Sequence, residues 1–163
     1  RSLAIQICQQ GHEIQGLGEQ EVCVEQMTAK ACRKELRKIR GTIETVTEEP
    51  CVFFRIPGGE YNNEVLRTIY ACGSYPVAWS VDSMDWKEYE ASELVRQLLQ
   101  SCTIRDGEIL RFHGEGENTG EMVKLLHPRL KEEGYEAVTV SQMVYKDCYR
   151  MTTGGRQIPE KSK

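Results

Sequence analysis

Strand-like and helix-like segments alternate along this chain, and the alternation restricts its fold more than any other feature. Residues 52–55 and 76–81 form two strand-like runs, and a short amphipathic helix joins them. A further strand is predicted at 108–113 and a further helix at 121–133. Chains that alternate in this way fold with parallel strands covered by helices. We therefore predict an α/β fold, either a parallel barrel or an open sheet.

The remaining elements extend this pattern toward both ends of the chain. Thr28 is predicted to cap a long helix that reaches about residue 46, because apolar residues recur there every three or four positions. A last strand is predicted at 135–140. The sequence beyond Cys148 is polar, so residues 149–163 are predicted to form a frayed tail. The folded domain is accordingly predicted to span residues 1–148.

Composition and charge exclude several classes of protein. With 163 residues the chain has the length of one domain, and its formal net charge of -4 argues against a nucleic-acid partner. No apolar run reaches membrane-spanning length, and neither a signal peptide nor an anchor is visible. The seven cysteines contain no CxxC pair. This spacing argues against a zinc ribbon or a redox motif and favours buried free thiols.

Charged and aromatic residues follow two of the predicted strands. Arg55 ends the first strand, and Asp82, Asp85 and Trp86 follow the second. In parallel α/β folds, the loops after the carboxyl ends of the strands form the functional site. The sequence therefore predicts that these four side chains converge on one site.

Five short motifs occur in an order that is typical of one known family. They are GHEI, FRxP, WSVDSMDW, G-x-IL-x-x-H and EEGYEAVTVSQM, and together they span nearly the whole chain. In this order the chain resembles the polysaccharide deacetylase family, also called the NodB-homology domain or carbohydrate esterase family 4. The resemblance implies a distorted (β/α) barrel of NodB type. It also implies removal of N-acetyl groups from chitin-like or peptidoglycan glycans, usually with zinc.

The resemblance assigns roles to the residues that match the motifs. Arg55 and Pro57 match the arginine and a proline of an RPPY-like motif, in which the arginine orients a catalytic aspartate. Asp82, Asp85 and Trp86 match an intact DxxDW motif. One of the two carboxylates is expected to hold the catalytic histidine in its charged form, and we favour Asp85. Trp86 is expected to line the sugar groove.

The late motif of the family, leucine-x-histidine, corresponds to Arg111, Phe112 and His113. His113 is expected to be the general acid that protonates the leaving amine. Phe112 is assigned to substrate binding. Arg111 stands where the family has a leucine that lines the pocket for the acetyl methyl group, so this pocket is expected to differ.

The metal site departs from the family pattern. Its aspartate comes from a TFDDG motif that has no match in this chain, so the barrel is expected to lack its first strand or strands. Its two histidines are replaced by Leu17 and Glu21. Leu17 is not a zinc ligand, whereas the carboxylate of Glu21 is an acceptable one. Glu21 is therefore the candidate metal ligand, but one carboxylate does not rebuild a zinc site, so a metal-free protein is the alternative.

Three functions are compatible with this pattern. The first is a hydrolase that removes N-acetyl groups from glycans containing N-acetylglucosamine. The second is a catalytically degenerate, metal-free relative that binds glycans, and the third is an enzyme for a different acyl or amide substrate. In each case the resemblance implies a parent protein that is extracellular or at the cell surface. The oligomeric state stays open.

Overall fold

The computed structural model describes residues 1–18, 28–114 and 116–160. The chain forms two compact units, the first Arg1–Ser80 and the second Val81–Lys163. Each unit has a hydrophobic core of its own. The predicted boundary at residue 148 stays a prediction.

Parallel strands and helices alternate in the first unit. Its described elements are α1 (Ser2–Gln9), β1 (Gly16–Leu17), α2 (Ala29–Thr47), β2 (Phe53–Arg55), a 3-10 turn (Pro57–Gly59), α3 (Asn63–Ala71) and β3 (Tyr75–Val77). The strands form one parallel sheet in the order β1-β2-β3. The predicted strand at 52–55 and the helix that follows it are confirmed as β2 and α3.

The core of the first unit lies between α2, α3 and the strand β2. Cys32 and Leu36 of α2 pack there with Phe54 of β2 and Ile69 of α3. The start of α2 is fixed as predicted, because the Thr28 hydroxyl accepts a hydrogen bond from a backbone N–H in the first turn. A side-chain cap and a three-to-four spacing of apolar residues are therefore sufficient to place this helix.

Arg40 links α2 to the end of α3, and its removal is expected to destabilise the first unit. Its guanidinium donates to the carbonyl oxygens of Cys72 and Gly73 at 3.1 and 3.3 Å and to the Ser74 hydroxyl at 2.6 Å. These carbonyls end a helix, where a positive charge is favourable. Arg40→Ala should lower the free energy of unfolding by about 1–3 kcal/mol in urea titrations.

The matched control for this prediction is Arg37→Ala, which removes an exposed arginine from the same helix. A surface substitution of this kind should change the unfolding free energy by only about 0.5 kcal/mol. Equal effects of the two substitutions would show that the contacts of Arg40 add nothing to stability.

The second unit contains a parallel strand pair, two longer helices and a terminal hairpin. Its described elements are β4 (Val81–Asp82), α4 (Ala91–Ser101), β5 (Leu110–Arg111), α5 (Thr119–Glu132), α6 (Val140–Met143), β6 (Tyr149–Met151) and β7 (Gln157–Pro159). Strands β4 and β5 are parallel, and β6 and β7 are antiparallel. Leu94 and Leu98 of α4 pack with Met122 and Leu126 of α5 and with Val81. The predicted elements at 108–113 and 121–133 are confirmed as β5 and α5, with shifted ends.

Two predicted strands are wrong in extent or type. The run 76–81 is divided, because β3 ends at Val77, where its pairing with β2 ends, and β4 begins only at Val81, where pairing with β5 begins. The run 135–140 forms no strand. Instead, the side chains of Thr139 and Gln142 form a capping box that starts α6. The β-branched residues of the run 135–140 are typical of a strand, but the capping box favours a helical turn.

The predicted frayed tail is also wrong for the residues up to 160. Tyr149–Met151 pairs with Gln157–Pro159 in register, and a turn at Gly155, with a φ of 78°, closes the hairpin. The pairing of backbone groups, rather than an apolar face, orders this segment.

None of the described helices is both long and apolar enough to span a membrane.

Candidate active site

The ends of β4 and β5 bring four polar side chains together in the second unit. Asp82 and Arg111 are Cα partners at the last residues of the two strands. Asp85 and His113 follow them in the chain. Because the strands are parallel, their carboxyl ends lie at the same edge, which is where α/β proteins carry their sites.

Asp85 and His113 form the central contact of this site. The Nδ1 of His113 lies 2.8 Å from Oδ1 of Asp85. The backbone N–H of His113 donates to the same carboxylate, with distances of 2.9 and 3.0 Å to its two oxygens, and the N–H of Gly114 lies 3.3 Å from Oδ2. Asp85 is only 1% exposed. The carboxylate therefore fixes both the backbone and the ring of His113.

Two hydroxyl groups complete the surroundings of Asp85, and sequence reasoning missed both. Ser83 donates to Oδ1 at 3.0 Å, and Thr119, the first residue of α5, donates to Oδ2 at 2.5 Å. Ser83 lies within the DSMDW segment and could have been suspected from its place there. Thr119 is 34 residues from Asp85, and no local signal in the sequence points to it.

The hydrogen bonds keep Asp85 ionised despite its burial. Burial alone would raise the pKa of Asp85, because a buried carboxylate loses its hydration. The hydrogen bonds from Thr119, from the backbone and ring of His113, and from Ser83 outweigh burial and hold this pKa well below its ordinary value. The site thus contains a buried negative charge directed at one ring nitrogen of His113.

Arg111 contacts the opposite side of the histidine ring. Its Nη2 lies within hydrogen-bonding distance of Nε2 of His113. Its Nε lies 3.6 Å from Oδ2 of Asp82. Asp82 also accepts a hydrogen bond from the backbone N–H of Met84 at 3.0 Å. Of the two aspartates in the DxxDW motif, Asp85 is therefore the one that contacts His113, and Asp82 pairs with Arg111.

The two aromatic residues assigned to substrate differ in their surroundings. Trp86 is 56% exposed, and its ring packs edge-on against His113 with centroids 6.3 Å apart. Phe112 is half-buried and packs against the core of the second unit. Trp86 is thus available to a ligand beside His113. A substrate role for Phe112 stays a prediction.

Arg55 and Pro57 lie in the first unit, at the end of β2. The Cζ of Arg55 lies 5.6 Å from the ring centroid of Trp79, within the range of a cation–π contact. Pro57 is buried and starts the 3-10 turn. The catalytic role of Arg55 and the substrate role of Pro57 stay predictions.

The zinc site that the resemblance implies is not seen among the described residues. Nowhere in residues 1–18, 28–114 and 116–160 do three or more histidine, cysteine, aspartate or glutamate side chains form a group that could hold a metal. Leu17 ends β1 as an exposed apolar residue. Glu21, the predicted ligand, lies outside the described residues, so its role stays a prediction.

Comparison with known proteins gives matches to one family. Residues 1–77 match the family model described as polysaccharide deacetylase. A curated relative is the peptidoglycan-N-acetylglucosamine deacetylase of Bacillus cereus, which is 27% identical over 147 residues. The match covers 87% of this chain and 68% of that protein.

Solved structures show the same fold. BA3943 from Bacillus anthracis, described as a pseudoenzyme of carbohydrate esterase family 4, is 23% identical with a TM-score of 0.78. The match covers 87% of this chain but only 50% of that one. A family 4 acetyl xylan esterase from Clostridium thermocellum, in complex with a cobalt ion, is 22% identical with a TM-score of 0.77 and is covered to 68%. The predicted α/β fold of the NodB type is therefore confirmed.

Proposed function

This chain is a relative of the polysaccharide deacetylases, and from that relation we propose that it is a hydrolase that removes N-acetyl groups from glycans containing N-acetylglucosamine. The observation that carries the proposal is the contact of His113 with the buried carboxylate of Asp85, beside the exposed ring of Trp86. The name of the Bacillus cereus relative supports the choice of substrate. A location outside the cell or at its surface is part of the proposal.

The proposed reaction needs a proton donor, and His113 is suited to that role. Hydrolysis joins a water oxygen to the acetyl carbonyl carbon, breaks the bond from carbon to nitrogen, and requires a proton on the departing nitrogen. Nδ1 of His113 is held by Asp85, so Nε2 is the nitrogen that would donate. Asp85 would hold the ring in place during the transfer.

Trp86 is proposed to bind the sugar. Its ring is exposed beside His113, and a flat apolar face is complementary to the C–H face of a pyranose ring. In this proposal Trp86 supplies the sugar contact and His113 supplies the proton.

A second function, glycan binding without catalysis, is favoured by two observations. Leu17 stands at the position of an expected metal ligand, and Arg111 stands at that of a pocket-lining leucine. The similarity in fold to BA3943, which is described as a pseudoenzyme, is compatible with this alternative. Such a protein would retain Trp86 and the sugar groove but release no acetate.

Acetate release from N-acetylated chitooligosaccharides separates the two functions. The full chain should release acetate, and His113→Gln should reduce the rate by about 10²–10⁴-fold, as expected for loss of a general acid. His127→Gln is the matched control, since His127 is exposed on α5, and it should leave the rate unchanged. An equal rate in His113→Gln would contradict the proposed role of His113.

The metal requirement is tested in the same assay. Zinc is the metal that we propose, with Glu21 as one ligand, and the assay is run with added zinc and with a chelator. Zinc-dependent release that is lost in Glu21→Ala would support this ligand. No acetate under either condition, together with glycan binding that His113→Gln leaves intact, would favour the binding function.

A further inference from the structure

Both ring nitrogens of His113 face groups whose hydrogen-bonding capacity is fixed. The Asp85 carboxylate is ionised and only accepts, so Nδ1 must carry a hydrogen. A guanidinium only donates, so Nε2 must offer its lone pair to Arg111. The two contacts together fit a ring that carries its hydrogen on Nδ1 and presents a lone pair at Nε2.

Arg111 is held in this position by the strand pair. It is the last residue of β5, directly opposite Asp82 of β4. Its Nε lies 3.6 Å from Oδ2 of Asp82, and both side chains are partly buried. An arginine at a strand end with a carboxylate partner is less free to move than one on an exposed loop.

The charge of Arg111 acts against the proton-donating form of His113. A second proton, added on Nε2 while Nδ1 keeps its own, would place two donors and two positive charges against each other, with no acceptor between them. We propose that Arg111 is a positioning residue that covers Nε2 and keeps His113 neutral with its proton on Nδ1. The consequence for hydrolysis, a restrained general acid, rests on the proposed function.

The state of the ring is read directly by ¹⁵N NMR of the full chain labelled at histidine. The proposal requires a pyrrole-type signal for Nδ1 of His113 and a pyridine-type signal for Nε2 at neutral pH. This measurement needs no variant. A charged ring, or a proton on Nε2 instead of Nδ1, would overturn the proposal.

Shielding of Nε2 by Arg111 is tested by the reaction of His113 with diethyl pyrocarbonate. This reagent modifies the nitrogen that carries the lone pair in neutral imidazole. The chain has three histidines, so His12 and His127 serve as internal standards in peptide mapping by mass spectrometry. Arg111→Leu should raise the modification rate of His113 by about tenfold or more and leave the other two unchanged. Arg111→Lys, which retains the charge, should raise it less. An unchanged rate in a folded Arg111→Leu protein would contradict the proposal.

Acetate release then separates this inference from the proposed function. If both hold, Arg111→Leu should release acetate faster than the unmodified chain. If the ring signals and the modification rates agree with the proposal but neither protein releases acetate, the role of Arg111 stands and the proposed hydrolase fails. If acetate is released but the ring signals disagree, the hydrolase stands and the role of Arg111 fails.

Discussion

Asp85→Asn is expected to lower the free energy of unfolding of the second unit by roughly 3 kcal/mol at pH 7. The carboxylate accepts hydrogen bonds from Ser83, Thr119, His113 and Gly114. An amide offers only one oxygen, so its NH₂ group would face donors where no acceptor exists. Because the site is buried, water cannot satisfy the groups that lose their partner. Urea unfolding measures the difference directly.

The effect of Asp85 should depend on pH with a definite sign. Its pKa is lowered in the folded state, whereas an unfolded aspartate has a pKa of about 3.9. The ionised carboxylate therefore contributes stability that is fully present above about pH 4 and is lost as the pH falls toward the folded-state pKa. The difference in free energy of unfolding between the unmodified chain and Asp85→Asn should therefore become smaller as the pH falls below about 4.

Asp82→Asn is the matched control, since it makes the same change at the other aspartate of the motif. Asp82 is less buried and pairs with Arg111 at 3.6 Å. Its substitution should cost less than about 1 kcal/mol. Equal losses for the two variants, or a loss for Asp85→Asn that stays constant down to pH 2, would refute this account of the site.

Gly116→Ala should disrupt the same region by steric overlap. A Cβ at this position would lie 2.3 Å from the carbonyl oxygen of Asp85 and 3.1 Å from the Thr119 hydroxyl oxygen. The first neighbour is backbone and has no alternative rotamer, so the loop or the Asp85 segment must shift. We expect a loss of about 1–3 kcal/mol in unfolding free energy and, if the proposed function holds, a strong loss of acetate release.

Gly120→Ala is the control for this substitution. Gly120 lies in the first turn of α5, and apart from its chain neighbours and the backbone of its own helix, no described atom lies within 4 Å of the Cβ that would be added. Alanine is the better helix former, so this variant should be stabilised by up to about 1 kcal/mol. If both substitutions stabilised the chain, close packing of the loop on Asp85 would not be required.

The site therefore consists of two side-chain pairs that meet at the ring of His113. One is Asp85 with His113 itself, and the other is Asp82 with Arg111. The pair of Asp85 with His113 directs a buried carboxylate at Nδ1 of the ring. The pair of Asp82 with Arg111 directs a guanidinium at the other ring nitrogen. If the proposed role of Arg111 holds, Arg111→Leu removes the guanidinium from Nε2 of His113 and leaves the contact between Asp85 and His113 in place.

The sequence by itself determined the features that depend on neighbouring residues. The Thr28 cap, the spacing in α2 and the alternation of strands with helices are local patterns, and the structure confirms them. The motifs also indicated Asp85 and His113 as candidates. Where local signals competed, as in 135–140 and in the terminal hairpin, prediction failed, because a capping box or backbone pairing outweighed the apolar pattern.

Only the tertiary structure decided which side chains meet. Asp85 is 28 residues from His113 and 34 from Thr119, so their contacts depend on how β4, β5 and α5 pack. The same packing places Gly116 against the backbone of Asp85 and Arg111 against Nε2 of His113. Residue type and spacing specify which groups are available. The long-range packing of the core determines the distances between them, and the chemistry of His113 depends on those distances.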